Sequence, residues 1–466
     1  MSLAKQSFLY GFSSVVSAGF GVISSIIAVN YLAPSEFGIT TSVASAVQWI
    51  LIFVTFGNPA PMTRYFAMSG NEHERSGYVS GWLFTMSFIS TIVFSVGTIM
   101  SHPISVLLFG KDEYYFVISL TVLSSVLALV LGVCLQVIRF QQRVWLFCSL
   151  QVVQSFFSLV FVCVAVLLDM GLKGMLQAHI AVSGILLPVS LFYIRDHLTI
   201  RIKRSYIREM VEFGVPLVPM TITWVGLSAV DRMMLVRHDV ESAAIYAVAA
   251  RLTIFPQFIN SAFGMAWSPR AFEVYKKHHQ EAGNYFGYIL SIYLLLSSIV
   301  AAFMACVSRE IIVFFAPNIY AMASVVTGLL MICIICDGST YITQISFSIF
   351  NKTHLLVYPP FVAFFLNVVL NYFLIPQSSY IGAAIASVVS YFVLALTYFV
   401  MGQRLLRLHL PYSLPSVLLI FVLIIGVSAY FSGIENTFSY RVSILLFYVM
   451  ISFYFGNRYI KYIKGF

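Results

Sequence analysis

Fourteen long apolar runs divide this chain, at about 7–32, 37–57, 79–100, 116–138, 145–168, 174–194, 211–234, 243–267, 286–307, 324–349, 357–376, 380–402, 413–432 and 440–457. Each is close to the ~20 residues that a helix needs to cross a hydrocarbon layer. The runs are continuous and do not alternate with a period of two, so they predict helices and not the strands of an outer-membrane barrel. With 60% hydrophobic and 9% charged residues over 466 positions, the chain has too little polar surface to cover a soluble core of this size. The sequence therefore specifies an all-α polytopic membrane protein. It excludes a soluble enzyme, a disordered regulator and a secreted module. The first run is too long, and too poor in cleavage-site character, for a removable signal peptide, and is expected to stay as the first helix.

The formal net charge of +9 is better read as topology than as affinity for nucleic acid. If the N-terminus starts inside, 19 of the 26 Lys and Arg residues fall in cytoplasmic segments, six fall on the opposite side, and Arg251 lies within a span. That asymmetry across short loops predicts that both termini are cytoplasmic. All six cysteines lie inside apolar runs, so they supply no disulfide framework. Cys333 and Cys336 spell C-x-x-C in mid-membrane, without a second pair or a histidine at ligand spacing, and read as buried small residues. No metal site and no cofactor is expected.

The two halves resemble each other at a nearly constant offset. Arg64, in the segment closing span 2, matches Arg270 closing span 8 at 206 residues, and Gly57 matches Gly264 at 207. Gly174 opening span 6 matches Gly382 opening span 12 at 208, and Arg143 matches Lys352 at 209. Six spans is an even number, so the repeats share an orientation and a pseudo-two-fold along the membrane normal is expected. The predicted organisation is an N-terminal lobe at 1–194, a basic cytoplasmic linker at 195–210, a C-terminal lobe at 211–402, and two appended helices with a tail at 403–466. Two six-helix lobes around a cleft suit alternating access.

No G-x-x-x-x-G-K-[ST], G-x-S-x-G or H-E-x-x-H occurs, so any active transport must draw on an ion gradient or on the substrate's own. Arg251 and Asp337 are the only formally charged residues well inside spans, about 12 Å and about 20 Å deep at 1.5 Å per residue. Such residues mark functional sites by default, since each costs about 2.5–3.5 kcal/mol even on the gentlest scale. Two readings stay open: a structural Arg251–Asp337 ion pair, or an Arg251 that faces a water-filled cavity. They are compatible if the pair opens when substrate arrives. Pro216 and Pro219 in span 7, and Pro256 in span 8, are expected to kink or hinge their helices. Thr221, Thr223, Trp224 and Ser228 give span 7 a polar wall, which serves either interhelical bonding or gating. Arg64 and Arg270 either flank an inward-facing mouth or serve only the positive-inside rule.

Several segments carry a family resemblance: Leu32–Gly38, Ser228-Ala-Val-Asp231-Arg232, Ile245–Arg251, Ala266-Trp-Ser-Pro-Arg270, Leu366–Pro376 and Ile381–Ala386. In their order and spacing they resemble the polysaccharide-transporter branch of the multidrug/oligosaccharidyl-lipid/polysaccharide flippase superfamily, and are most similar to Wzx-type O-antigen flippases. The resemblance covers roughly residues 1–402, and spans 13 and 14 depart from twelve-span members. It implies a substrate, an oligosaccharide repeat unit on undecaprenyl pyrophosphate, moved from the cytoplasmic to the periplasmic leaflet of the bacterial inner membrane. It also implies a cation-lined cavity, here with Arg251, Arg64 and Arg270, and coupling to H+ or Na+, with Asp337 and Asp231 as the carboxylates. A polysaccharide polymerase and a chain-length regulator are the implied partners, and nucleic acid is not. The alternatives are a multidrug exporter of the same superfamily and an O-antigen polymerase or ligase. The longest outer loops, about fifteen residues near 101–115 and 308–323, leave little room for the chemistry of such an enzyme.

Overall fold

The structure is a computed structural model that describes residues 3–55, 60–199, 202–215, 218–350, 352–411, 434 and 437–463. Its helices are α1 Leu3–Tyr31, α2 Pro34–Thr55, α3 Ala60–Met68, α4 Glu72–Ile99, α5 Ser101–Phe109, α6 Tyr115–Phe140, α7 Val144–Leu167 and α8 Gly171–Ile194. There follow α9 Arg204–Gly214, α10 Val218–His238, α11 Val240–Leu252, α12 Ile254–Lys277, α13 Ala282–Phe315, α14 Ala323–Thr343 and α15 Ile345–Ile349. Last come α16 Tyr358–Gln403 and Phe438–Ile463, here α17. No strand occurs among the described residues. By length and composition, nine of these helices can cross a membrane, or eleven if each of two bent pairs counts as one span. The predicted span at 413–432 lies outside the described residues.

Local chemistry sets the helix ends. Asn71 caps α4 by accepting from the Glu74 N–H at 2.8 Å, and Glu72 and Glu74 complement the positive end of the helix. Pro256 cannot sit beside the carbonyl four residues before it, and that residue, Leu252, is the last of α11. The chain accordingly breaks at Thr253 and bends by 43° into α12. The 46 residues of α16 are two helices that meet at a sharp turn, and they cover two predicted spans. They are separated at Ser379, which takes φ 47° and ψ −126° and donates its hydroxyl to Ser242 Oγ at 2.7 Å.

Packing divides the chain into Met1–Glu241 and Ser242–Phe466. Within the first unit α10 packs against α2, where Ser42 Oγ donates to the Arg232 carbonyl at 3.2 Å. The core of the first unit gathers Met62, Trp82, Met86, Cys134, Ile138 and Met210 from α3, α4, α6 and α9. In the second unit Trp267, Phe286, Tyr293 and Ile342 form one cluster, and Ala302, Met331, Ile335 and Tyr448 form another. Large apolar side chains such as Leu167, Phe314 and Met450 are exposed, as a lipid solvent allows.

α17 is held to α13 by buried polar contacts. Arg441, 1% exposed, donates to both carboxylate oxygens of Glu310 and to the Cys306 carbonyl, and Ser298 and Tyr448 share a hydroxyl–hydroxyl bond. The charge count puts Arg441 on the outer side, at the start of the predicted span 440–457. The structure buries it because Glu310 projects from the last turns of α13 at the same level.

Two G-x-x-x-G pairs on long helices each seat a connecting segment. On α4, a Cβ at Gly77 would overlap the Tyr206 ring, and one at Gly81 would lie 3.3 Å from Ile207 of α9. On α13, a Cβ at Gly283 would strike the carbonyl oxygen of Arg407, and one at Gly287 that of His409. The obstacle at Gly287 is backbone and cannot turn aside, while that at Gly81 is the tip of a flexible side chain. Gly287→Ala should therefore cost the purified protein about 1–3 kcal/mol and Gly81→Ala under ~1 kcal/mol, read by thermal unfolding in detergent. Equal losses would show that neither seat is tight.

Candidate functional site

The candidate cations lie on different elements. Arg251 is in the last turn of α11, exposed, at the break that Pro256 enforces. A cation there complements the negative end of a helix. Arg270 lies on α12, exposed, and donates to Glu273 at 2.9 Å, while Lys277 holds the other oxygen of that carboxylate at 2.7 Å. Exposed pairs of this kind are worth ~0–1 kcal/mol, so Arg270 can exchange its partner at little cost. Nineteen residues separate Arg251 from Arg270, about 28 Å of helix, so they do not form one cluster. In the first unit Arg64 lies on α3, exposed, with its guanidinium carbon 4.5 Å from the centroid of the Phe213 ring and 5.7 Å from that of Tyr65.

The carboxylates differ from each other. Asp231 is 2% exposed within α10. Asp337 is half-buried on α14, and no cation lies within ion-pair distance of it among the described residues. The Arg251–Asp337 pair is thus not made in this structure. Their depths differ by about 8 Å at 1.5 Å per residue, which long side chains could bridge, but a contact also needs helix faces that point at each other. Asp337 is followed by Gly338, where a Cβ would overlap Tyr293 Oη and lie 2.7 Å from Asn260 Cγ. Tyr293 donates its hydroxyl to Asn260 Oδ1 at 2.8 Å, and Asn260 Nδ2 donates to the Ile334 carbonyl at 2.8 Å. This network locks α12, α13 and α14 together beside the carboxylate without neutralising it.

A cavity of about 200 Å³ lies between the same three helices, walled by Ile259, Ile289, Leu296, Val300, Met331 and Ile335. Its polar lining residues Asn260, Tyr293 and Ser297 spend their donors within the protein, so it suits apolar matter and not an anion. Among the proline candidates, Pro256 sits at the break described above and Pro219 in the first turn of α10. Pro216 lies outside the described residues. No group of three or more metal-ligating side chains occurs among the described residues.

The comparisons with known proteins bear on this arrangement. The model of a family described as polysaccharide biosynthesis protein matches residues 3–275, more than half of the chain. The chain belongs to that family. A second family model, MatE, matches residues 216–373. Among solved structures, that of "Lipid II flippase MurJ, inward closed conformation" is similar over 97% of this chain and 99% of its own, with TM-score 0.73 and 14% identity. A MOP superfamily transporter from Pyrococcus furiosus is similar over 88% of this chain and 96% of its own, with TM-score 0.63 and 13% identity. An outward-facing multidrug resistance MATE family transporter of that superfamily follows at TM-score 0.59 and 14% identity, covering 86% of this chain and 94% of its own. A search of the curated proteins gives no match. At these identities the likeness is one of fold: this is a multi-pass membrane protein with the fold of the MOP flippases and transporters.

Sequence reasoning found the charged residues and the break at Pro256, but missed α9 and the Phe213 ring that holds Arg64. The signal was present, since Tyr206, Ile207 and Met210 recur at helical spacing in the basic linker. Because Asp337 has no cation to lose, Asp337→Asn should leave membrane expression and thermal stability at or above the wild-type level. A loss of ~3–5 kcal/mol would instead reveal a buried pair formed in the membrane.

Proposed function

We propose that the chain is a flippase that carries an oligosaccharide on undecaprenyl pyrophosphate, an O-antigen repeat unit, from the cytoplasmic to the periplasmic leaflet by alternating access. It is a transporter and not an enzyme, and it sits in a bacterial inner membrane with both termini in the cytoplasm. A polysaccharide polymerase and a chain-length regulator are its partners in the same process. Family membership over residues 3–275 supports the polysaccharide side of this reading. The fold shared with a lipid II flippase supports the lipid side.

The observation that carries the reading is the placement of Arg251. It is an exposed guanidinium at a helix break inside an otherwise apolar span. A diphosphate needs forked donors that keep their charge at any working pH, and arginine supplies both. Arg64 and Arg270, exposed at repeat-equivalent positions on the basic side, serve as first contacts for the headgroup, and Arg251 serves as the contact in mid-passage. The lipid tail stays in hydrocarbon throughout. Asp337, a carboxylate without a cation, is the group that takes up H+ or Na+ and links passage to an ion gradient.

The MatE match over 216–373 favours one second reading, a multidrug exporter. The two differ in what Arg251 must do, since an exporter of organic cations gains nothing from an arginine in its path. In cells that depend on this chain for surface polysaccharide, Arg251→Ala should lower export at least about tenfold at normal expression, and Arg251→Lys should restore part of it. Full export by Arg251→Ala, or loss of drug tolerance without loss of polysaccharide, would overturn the proposal.

A further inference from the structure

The basic linker is not a passive tether. Residues 204–214 form α9, whose Tyr206, Met210 and Gly214 are buried while Arg204, Ser205, Arg208 and Glu212 are exposed. Its buried face lies in the seat formed by Gly77 and Gly81 of α4, and two tyrosines latch it there. Tyr78 donates its hydroxyl to the Glu209 carboxylate at 2.5 Å, and Tyr65 donates to the Glu209 carbonyl at 3.2 Å. The rings of Tyr65 and Tyr78 stack with centroids 5.1 Å apart, and Tyr78 lies against Tyr206 at 4.4 Å. Tyr65 adjoins Arg64, and one turn beyond Glu209 the same helix presents Phe213 to the Arg64 guanidinium. A guanidinium over an aromatic face within about 6 Å of its centroid is held by the ring quadrupole.

The second unit shows what is special about this contact. Its connecting segment, Arg407–His409, lies across Gly283 and Gly287, which follow Gly77 and Gly81 by 206 residues each. The Gln403 side chain fixes that segment by donating to the Leu408 carbonyl at 3.1 Å and accepting from its N–H at 2.9 Å. The seat is therefore a repeated element, not an accident of one loop. Arg270 follows Arg64 by the same 206 residues, yet Glu273 of its own helix holds it, and among the described residues no ring of the connecting segment does. Among the described residues, only the first unit ties its arginine to its connector.

We propose that Phe213 is a positioning residue for Arg64, so that the pose of this cation depends on the docking of the linker helix. The proposal rests on the reading of Arg64 as a contact for pyrophosphate. When α9 is seated, the Phe213 ring lies 4.5 Å from the guanidinium carbon and restricts the rotamers of Arg64. When α9 leaves its seat, Arg64 loses the ring and regains its rotamers. The docking of α9 thereby sets how well the first phosphate contact is formed.

The test uses the purified full chain and two readouts. Phenylglyoxal modifies accessible guanidinium groups, and mass spectrometry follows the Arg64 and Arg270 peptides separately. Phe213→Leu should raise the Arg64 rate about threefold and leave the Arg270 rate unchanged, while Phe213→Trp, which keeps an aromatic face, should hold the Arg64 rate at or below wild type. Binding of undecaprenyl pyrophosphate should weaken about threefold in Phe213→Leu and not in Phe213→Trp, and Arg64→Ala should make the Phe213 substitutions silent. An Arg64 rate that ignores Phe213→Leu, or a Trp variant no better than Leu, overturns the positioning role. If the modification rates respond as expected but Arg64→Ala binds undecaprenyl pyrophosphate as wild type does, positioning stands and the phosphate reading of Arg64 falls.

Discussion

Hydrocarbon offers a polar side chain no hydrogen-bond partner, so every polar group placed in it must find one inside the protein. Most of this structure follows from that constraint. Arg441 is buried because the Glu310 carboxylate and a main-chain carbonyl receive it. Asn260 and Tyr293 spend their polar atoms on each other and on the Ile334 carbonyl, and Asn371 donates to Asn367 at 3.0 Å. Serines and threonines along the helices donate to carbonyls three or four residues before them, as Thr121, Ser291 and Ser390 do. Against this background Asp337 stands out, because a carboxylate that stabilised the bundle would have a cation beside it.

Close backbone approach is the second theme. Small residues let helices and connectors touch where a Cβ would hold them apart. Gly338 admits the Asn260–Tyr293 bond directly beside Asp337, and the paired seats on α4 and α13 bind the segments that leave each half. Tyr65, next to Arg64 on α3, also bonds the Glu209 carbonyl of α9.

The sequence made much of this legible, for identifiable reasons. Spans of ~20 apolar residues declare themselves by length, and Pro256 breaks its helix at the residue where the steric clash requires. The repeat offset read from Arg64 and Arg270 recurs in Gly77 and Gly283, a pair that composition alone does not single out. Other features need three dimensions. Depth along a helix puts Arg251 and Asp337 within about 8 Å of each other in level but says nothing of azimuth, and the pair is not made. Charge counting puts Arg441 at the outer end of its span but does not show its burial, because its partner Glu310 lies 131 residues away in the chain. The linker helix reads as a charged tether, since Tyr206, Ile207 and Met210 are few among its basic neighbours.

The central claim is that this chain moves a lipid-linked pyrophosphate saccharide between leaflets. The most direct measurement places the full chain in vesicles that carry undecaprenyl-pyrophosphate-linked oligosaccharide in both leaflets. It then follows the fraction of sugar open to periodate, which does not cross the bilayer. The account predicts that the protected inner-leaflet pool becomes accessible in vesicles containing the protein and stays protected in empty ones. Protection that persists equally in both, with the protein folded and correctly inserted, would contradict it.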